Sequence, residues 1–224
     1  ACKKVTKEPV TVETDTKEIE MAPEWVSLYD GTSLSGWHVY NNPEGTNPWT
    51  IEDGVLMFPG RAAGSKPEFN LVTDHDYTDF ILSIEWKISE GGNSGIMWGV
   101  IEDEKYEHPY DTGPEIQVLD NERHPDSFVG NGIHKAGSLY DMIGYPDEHI
   151  NPAGKWNKCE LEIDHKKNIG TVTMNGKASI SFPLSGEKWN TMVANSKFKD
   201  WEGFGRYPTG HIGLQDHSDK VWYK

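Results

Sequence analysis

Residues 113–120, Gly-Pro-Glu-Ile-Gln-Val-Leu-Asp, carry the side chains best suited to proton transfer in this 224-residue chain. On an extended strand, Glu115 and Gln117 point to one side, and Ile116 and Val118 to the other. A bulge at Val118-Leu119 would bring Asp120 onto the polar side as well. Glu can exchange a proton, Gln can hold a substrate oxygen, and Asp can share or tune a charge. Two close carboxylates push one pKa upward, toward the range a general acid or base needs at neutral pH. The plain alternative is a half-exposed strand with its polar residues in water.

His134, His149, His165, His211 and His217 fall in the second half of the chain. None has a tight metal-ligand spacing such as H-E-x-x-H. A divalent cation would need a carboxylate, a Gln and a His drawn from different strands. His75, His108, His124 and His165 read as hydrogen-bonded surface groups. Trp25, Trp49 and Trp86 fit core positions. Trp98, Tyr140, Tyr145, Trp201 and Tyr207 lie in or near loops with polar neighbours. Such rings suit the apolar face of a sugar, whose hydroxyls then find polar partners; core packing is the competing reading for each. No Walker A loop, dinucleotide glycine fingerprint or G-x-S-x-G turn is present.

The elements that must position these groups read as strands. Phe80, Leu82, Ile84, Trp86 and Ile88 alternate with Ile81, Ser83, Glu85 and Lys87, which predicts a strand over 79–88 with one face in a core. Asp53-Gly54 and Asn175-Gly176 each sit between short apolar runs, the strongest short-range hairpin signal. Further strands are predicted over 25–29, 70–73, 94–100, 115–119, 158–164, 211–215 and 220–223. The stretch 120–157 is long, irregular and rich in Gly, Pro, His and Asp; such connections tend to be functional. No segment shows sustained helical periodicity. About a dozen short strands at regular spacing imply an all-β sandwich or barrel, one domain over 23–224.

Composition narrows the partners. The chain has 36 acidic and 21 basic side chains, a formal net charge of −15. That balance argues against a nucleic-acid backbone or an anionic membrane surface as ligand. No apolar run approaches the roughly 20 residues of a transmembrane helix. Of the two cysteines, Cys159 alternates with Leu161 and Ile163 and reads as a buried thiol. Cys2 lies in Ala1-Cys2-Lys3-Lys4, before a polar stretch without Gly or aromatics. It reads either as a free thiol or as the lipid-bearing cysteine of an exported lipoprotein, with 1–22 as a solvated tether. In the second case the domain is periplasmic or at the cell surface, and its only membrane contact is that lipid. The pattern sets no oligomeric state.

Several runs carry a family resemblance. Leu28-Tyr29-Asp30-Gly31-Thr32-Ser33-Leu34-Ser35-Gly36-Trp37 resembles the opening LFDGksLdGW of the 3-keto-disaccharide hydrolase family. Asn93-Ser94-Gly95-Ile96, the 113–120 run, Gly137-Ser138-Leu139-Tyr140, Lys155-Trp156-Asn157, Asn175-Gly176 and Gly213-Leu214-Gln215-Asp216-His217 follow in the family's order. The resemblance spans about residues 24–224. It implies a concanavalin A-like jelly roll, two curved antiparallel sheets, and cleavage of glycosides oxidised to a ketone at C3. The 113–120 run also resembles the E-x-D-x-x-E strand of retaining jelly-roll glucanases, but Gln117 stands in the middle and Asp120 replaces the last Glu, which disfavours a double displacement. Trp98-Gly99, where many family members have an aromatic-Arg pair, and His134-Lys135-Ala136 are departures that bear on substrate choice.

The implied chemistry needs a base for the C2 proton, a group to stabilise the enolate oxygen and an acid for the leaving group, and no carboxylate nucleophile. The resemblance assigns Glu115 as base or acid and Asp120 as an electrostatic tuner. Tyr140 and His217 become the candidates for proton transfer or enolate stabilisation. Asn93, Trp98, Gln117, His134, Lys135 and Gln215 are the expected substrate-binding residues, and a divalent cation could polarise the ketone. A non-catalytic carbohydrate-binding module of the same fold is the rival reading, because fold alone does not set function. A hydrolase of unoxidised β-glucans is the other.

Overall fold

Twelve strands build two antiparallel sheets in the computed structural model, which describes residues 24–224. One sheet has five strands, in the order β1 (Trp37–Val39), β4 (Leu71–Thr73), β11 (His211–Leu214), β6 (Asn93–Val100) and β7 (Glu115–Leu119). The other has seven: β10 (Ser179–Phe182), β9 (Ile169–Met174), β8 (Asn157–Asp164), β5 (Phe80–Ile88), β12 (Val221–Tyr223), β3 (Val55–Phe58) and β2 (Thr50–Glu52). The expected jelly-roll sandwich is the architecture observed. Residues 1–22, expected as a tether, and Cys2 among them lie outside the described residues.

The alternation in β5 does what its period dictates. Leu82, Ile84, Trp86 and Ile88 are buried between the sheets, while Ile81 and Ser83 are exposed. Opposite them, Ile96, Ile116, Val118 and Leu214 of the five-stranded sheet enter the same core. Cys159 is buried there too, and burial pushes its thiol pKa up to about 12. Both hairpins form where expected. Asp53 and Asn175 take left-handed φ angles of 51° and 54° before their glycines, which is the conformation these turns require.

Two sequence expectations fail. Residues 24–29 form no strand, and Trp25 is 61% exposed rather than in the core. A helix, α1 (Gly186–Ala194), forms where none was expected. Trp189 is its one buried residue, so it has no apolar stripe long enough to register as a period.

Candidate active site

β7 is the edge strand of its sheet, and its free edge is covered by the segment 137–140. Gly137 N–H donates to Gln117 O (2.8 Å), Gln117 N–H to Ser138 O (3.1 Å), and Tyr140 N–H to Glu115 O (3.0 Å). This pairing sets Tyr140 beside Glu115. On the other side, β6 pairs in continuous register, Gly95 opposite Gln117 and Met97 opposite Glu115. Gln215 N–H then donates to Gly95 O (2.9 Å), which seats the end of β11 against β6. Asn93, Glu115, Gln117 and Gln215 therefore share the sheet face turned away from the core, in a pocket of about 460 Å³.

The pocket floor is polar and buried. Asn93, Glu115, Gln117 and Gln215 are each less than 9% exposed. Asn93 Oδ1, Gln117 Oε1 and Gln215 Oε1 accept no hydrogen bond from the described residues. Among the described residues only two other buried side-chain atoms share that condition, so three of the five meet in one pocket. Buried acceptors without donors are destabilising, so water or a guest has to supply the donors here. Gly95 makes room for the carboxyl: a Cβ there would lie 1.8 Å from Glu115 Oε1. Burial pushes the Glu115 pKa up to about 7, against the pull of Lys197 and His217 and with the help of Asp126.

Loops build the walls. His217 follows β11, its Nδ1 3.8 Å from Asp219 Oδ2. Asp219 beside the ring raises the His217 pKa against the effect of burial, and Glu115 and Asp126 add to the rise. The turn that carries His217 is held by Asp216, a buried carboxylate that accepts from Arg61 Nε (2.6 Å), Phe69 N (2.8 Å) and Ser218 N (2.7 Å). Tyr140 donates its hydroxyl to Asp126 Oδ2 (2.9 Å). Burial and that carboxylate raise the phenol pKa far above its usual range, so Tyr140 keeps its proton. His124 Nδ1 accepts the Asp126 N–H (3.1 Å), which leaves Nε2 to carry the proton of the neutral ring. Burial and the nearby His217 lower its pKa.

The pocket brings together Asn93, Glu115, Gln117, Tyr140, Gln215 and His217 of the residues expected from sequence. Four others lie elsewhere. β7 runs without a bulge, so Asp120 turns away and caps a turn, accepting from Gly91 N (2.7 Å), Glu122 N (3.1 Å) and Arg123 Nη1 (3.2 Å). Against its burial, those bonds hold the Asp120 carboxyl below its usual range. Trp98 falls on the core side of β6 and stacks on Phe182, ring centroids 5.8 Å apart. Lys135 pairs with Asp147 at 2.6 Å on the surface. His134 stands behind the wall: it stacks on Tyr140 (4.5 Å) and sits between Asp126 and Asp141. Sequence reasoning missed Tyr110, Asp126, Lys197 and Phe198, and left His124 on the surface; all five line the pocket. For His124 and Asp126 the signal was the long 120–157 loop; the others had none.

Residues 24–224 match the family described as the 3-keto-alpha-glucoside-1,2-lyase-like domain. The chain belongs to that family. It is 34% identical, over an alignment of 224 residues, to a Bacteroides thetaiotaomicron protein named 3-keto-disaccharide hydrolase; the alignment covers 89% of this chain and 76% of the relative. A crystal structure of a candidate glycosyl hydrolase from Parabacteroides distasonis superposes with a TM-score of 0.78 at 29% identity, over 88% of this chain and 89% of the other. A second one from the same organism gives 0.58 at 23% identity, over 84% and 95%, a likeness of fold. The matched residues include β7, the strand that floors the pocket.

Proposed function

We propose that this carbohydrate-active protein cleaves glycosides and disaccharides already oxidised to a ketone at C3. The observation that carries the reading is the Glu115 carboxyl, buried over Gly95 beside three amide oxygens that lack donors. A C3 ketone acidifies the C2 proton. Glu115, with a pKa near 7, takes that proton, and its electron pair moves toward the C3 oxygen. Return of the pair forms the C1–C2 double bond and expels the C1 oxygen substituent. His217, whose pKa Asp219 raises against burial, gives that oxygen its proton. The products are the free aglycone or sugar and an unsaturated 3-keto sugar; water added across the double bond would make the outcome net hydrolysis.

The remaining residues orient the sugar. Asn93, Gln117 and Gln215 accept from its hydroxyls, and Tyr140 and Phe198 form part of the wall. Tyr140 serves as a wall and an acceptor, because its own proton is committed to Asp126. Asn93, Gln117 and Gln215 also fit a hard divalent cation, since buried oxygen donors beside a carboxylate are what such ions take. Bound there, the ion would supply Lewis-acid polarisation of the ketone. His124, His217 and Asp219 also group within 4.8 Å, but His124 Nδ1 is already engaged by Asp126, so they are the poorer set.

The test is aglycone release from 3-keto-α- and 3-keto-β-glucosides, with the unoxidised parents and a chelator-treated sample alongside. Release from the keto sugars alone supports the reading, and its loss on chelation adds the cation. Binding of oligosaccharides without release from any substrate would replace it with the binding-module reading.

A further inference from the structure

Lys197 reaches the pocket from the turn after α1. Its backbone is latched. Lys197 N–H donates to Asp141 Oδ2 (2.6 Å), and Asp141 Oδ1 lies 2.6 Å from His134 Nε2. Asp141 holds a left-handed φ of 59° while making both contacts, so one residue ties the 195–199 turn to the loop bearing His134 and Tyr140. The ammonium stands 4.2 Å from the Tyr140 ring centroid and 5.3 Å from that of Phe198. No carboxylate of the described residues comes within 4.0 Å of it. Lys197 is exposed at the pocket, so its ammonium, with no carboxylate of the described residues in salt-bridge range, is open to a guest. Lys197 lines the same pocket as Glu115, and its charge pulls the Glu115 pKa down against burial.

We propose that Lys197 stabilises the oxyanion that forms on the sugar's C3 oxygen as the C2 proton leaves for Glu115. The proposal rests on the 3-keto-glycoside reading above. In that step the C2–H bond breaks and its proton goes to Glu115. The bonding pair becomes the C2–C3 double bond, the carbonyl pair becomes the charge on the C3 oxygen, and no further reactant is needed. A cation that meets charge appearing only in the transition state acts on kcat more than on KM.

Two readouts test it, with wild type, Lys197→Met and Lys197→Arg prepared in parallel and matched for melting temperature. The first is deuterium entry at C2 of methyl 3-keto-α-glucoside in heavy water, followed by NMR. The second is aglycone release from a 4-nitrophenyl 3-keto-α-glucoside. Lys197→Met is expected to slow both on the order of 100-fold, the scale of a lost oxyanion donor, with KM little changed, and Lys197→Arg to keep most of both rates. Wild-type rates in Lys197→Met would overturn the proposal, because methionine covers the Tyr140 and Phe198 rings as lysine does. Slowed release with unchanged exchange would also overturn it, by moving Lys197 to the leaving oxygen. If wild type neither exchanges nor cleaves, the underlying reading fails and this inference falls with it.

Discussion

The two faces of β7 are built on the same five residues and obey opposite rules. Ile116 and Val118 point into the core and are fully buried among apolar neighbours. Glu115 and Gln117, one residue along, are almost as buried, yet the Gln117 amide oxygen has no partner and the Glu115 carboxyl takes no hydrogen bond from the described residues. The first face satisfies every demand burial makes. The second leaves its demands open, at a cost of about 1–3 kcal/mol for each unsatisfied buried polar group. A fold gives up stability in this way where a ligand is to complete the site, so the contrast separates scaffold from function within a single strand.

Gly95→Ala attacks the outer face most directly short of removing Glu115. The new Cβ would have to displace the Glu115 carboxyl, and the backbone itself has no objection to alanine. Cleavage should fall roughly 100-fold, the scale of a misplaced catalytic group, with the melting temperature nearly unchanged. Ile116→Ala attacks the inner face. It should lose about 2–5 kcal/mol of stability by urea titration, the usual range for such a cavity, while the folded fraction keeps its kcat. If both variants lost stability and activity alike, the separation of the two faces would be wrong.

Gln117→Leu sharpens the contrast. Removing a buried amide without a partner should raise stability by about 1 kcal/mol while weakening substrate binding. A stability loss would mean that the amide is satisfied within the protein. The pH dependence is the gentlest probe. Activity should fall below about pH 7 as Glu115 takes up its proton. Stability should run the other way. A carboxyl whose folded pKa lies above its unfolded value binds the proton more tightly when folded, so stability is lost as pH rises from about 4.5 through 7. His217, also raised, contributes stability that is present below the ordinary histidine range and lost as pH climbs through its folded value. Urea titrations at pH 5 and 8 check the sign, and Glu115→Gln should flatten the difference.

Much of this was legible from residue types because strands announce their period. Alternation in 79–88 and the Asp53-Gly54 and Asn175-Gly176 turns located the sheets, and the parity of Glu115 and Gln117 located the floor of the pocket. The failures have equally physical causes. Trp98 sits one residue out of phase with Met97 and so faces the core. Asp120 depended on a bulge that the continuous β6–β7 pairing excludes. Asp126 and Lys197 come from loops, where no period tells which way a side chain points and only tertiary contacts such as the Asp141 latch decide.

The most direct test of the central claim compares wild type with Glu115→Gln in aglycone release from 3-keto-glucosides and their unoxidised parents, at pH 8 with melting curves taken in parallel. The account predicts release by wild type from the keto sugars only, a loss of about 100- to 10,000-fold in Glu115→Gln, the range of a missing general base, and an intact fold. Turnover that survives in Glu115→Gln, or equal release from the unoxidised parents, would contradict it.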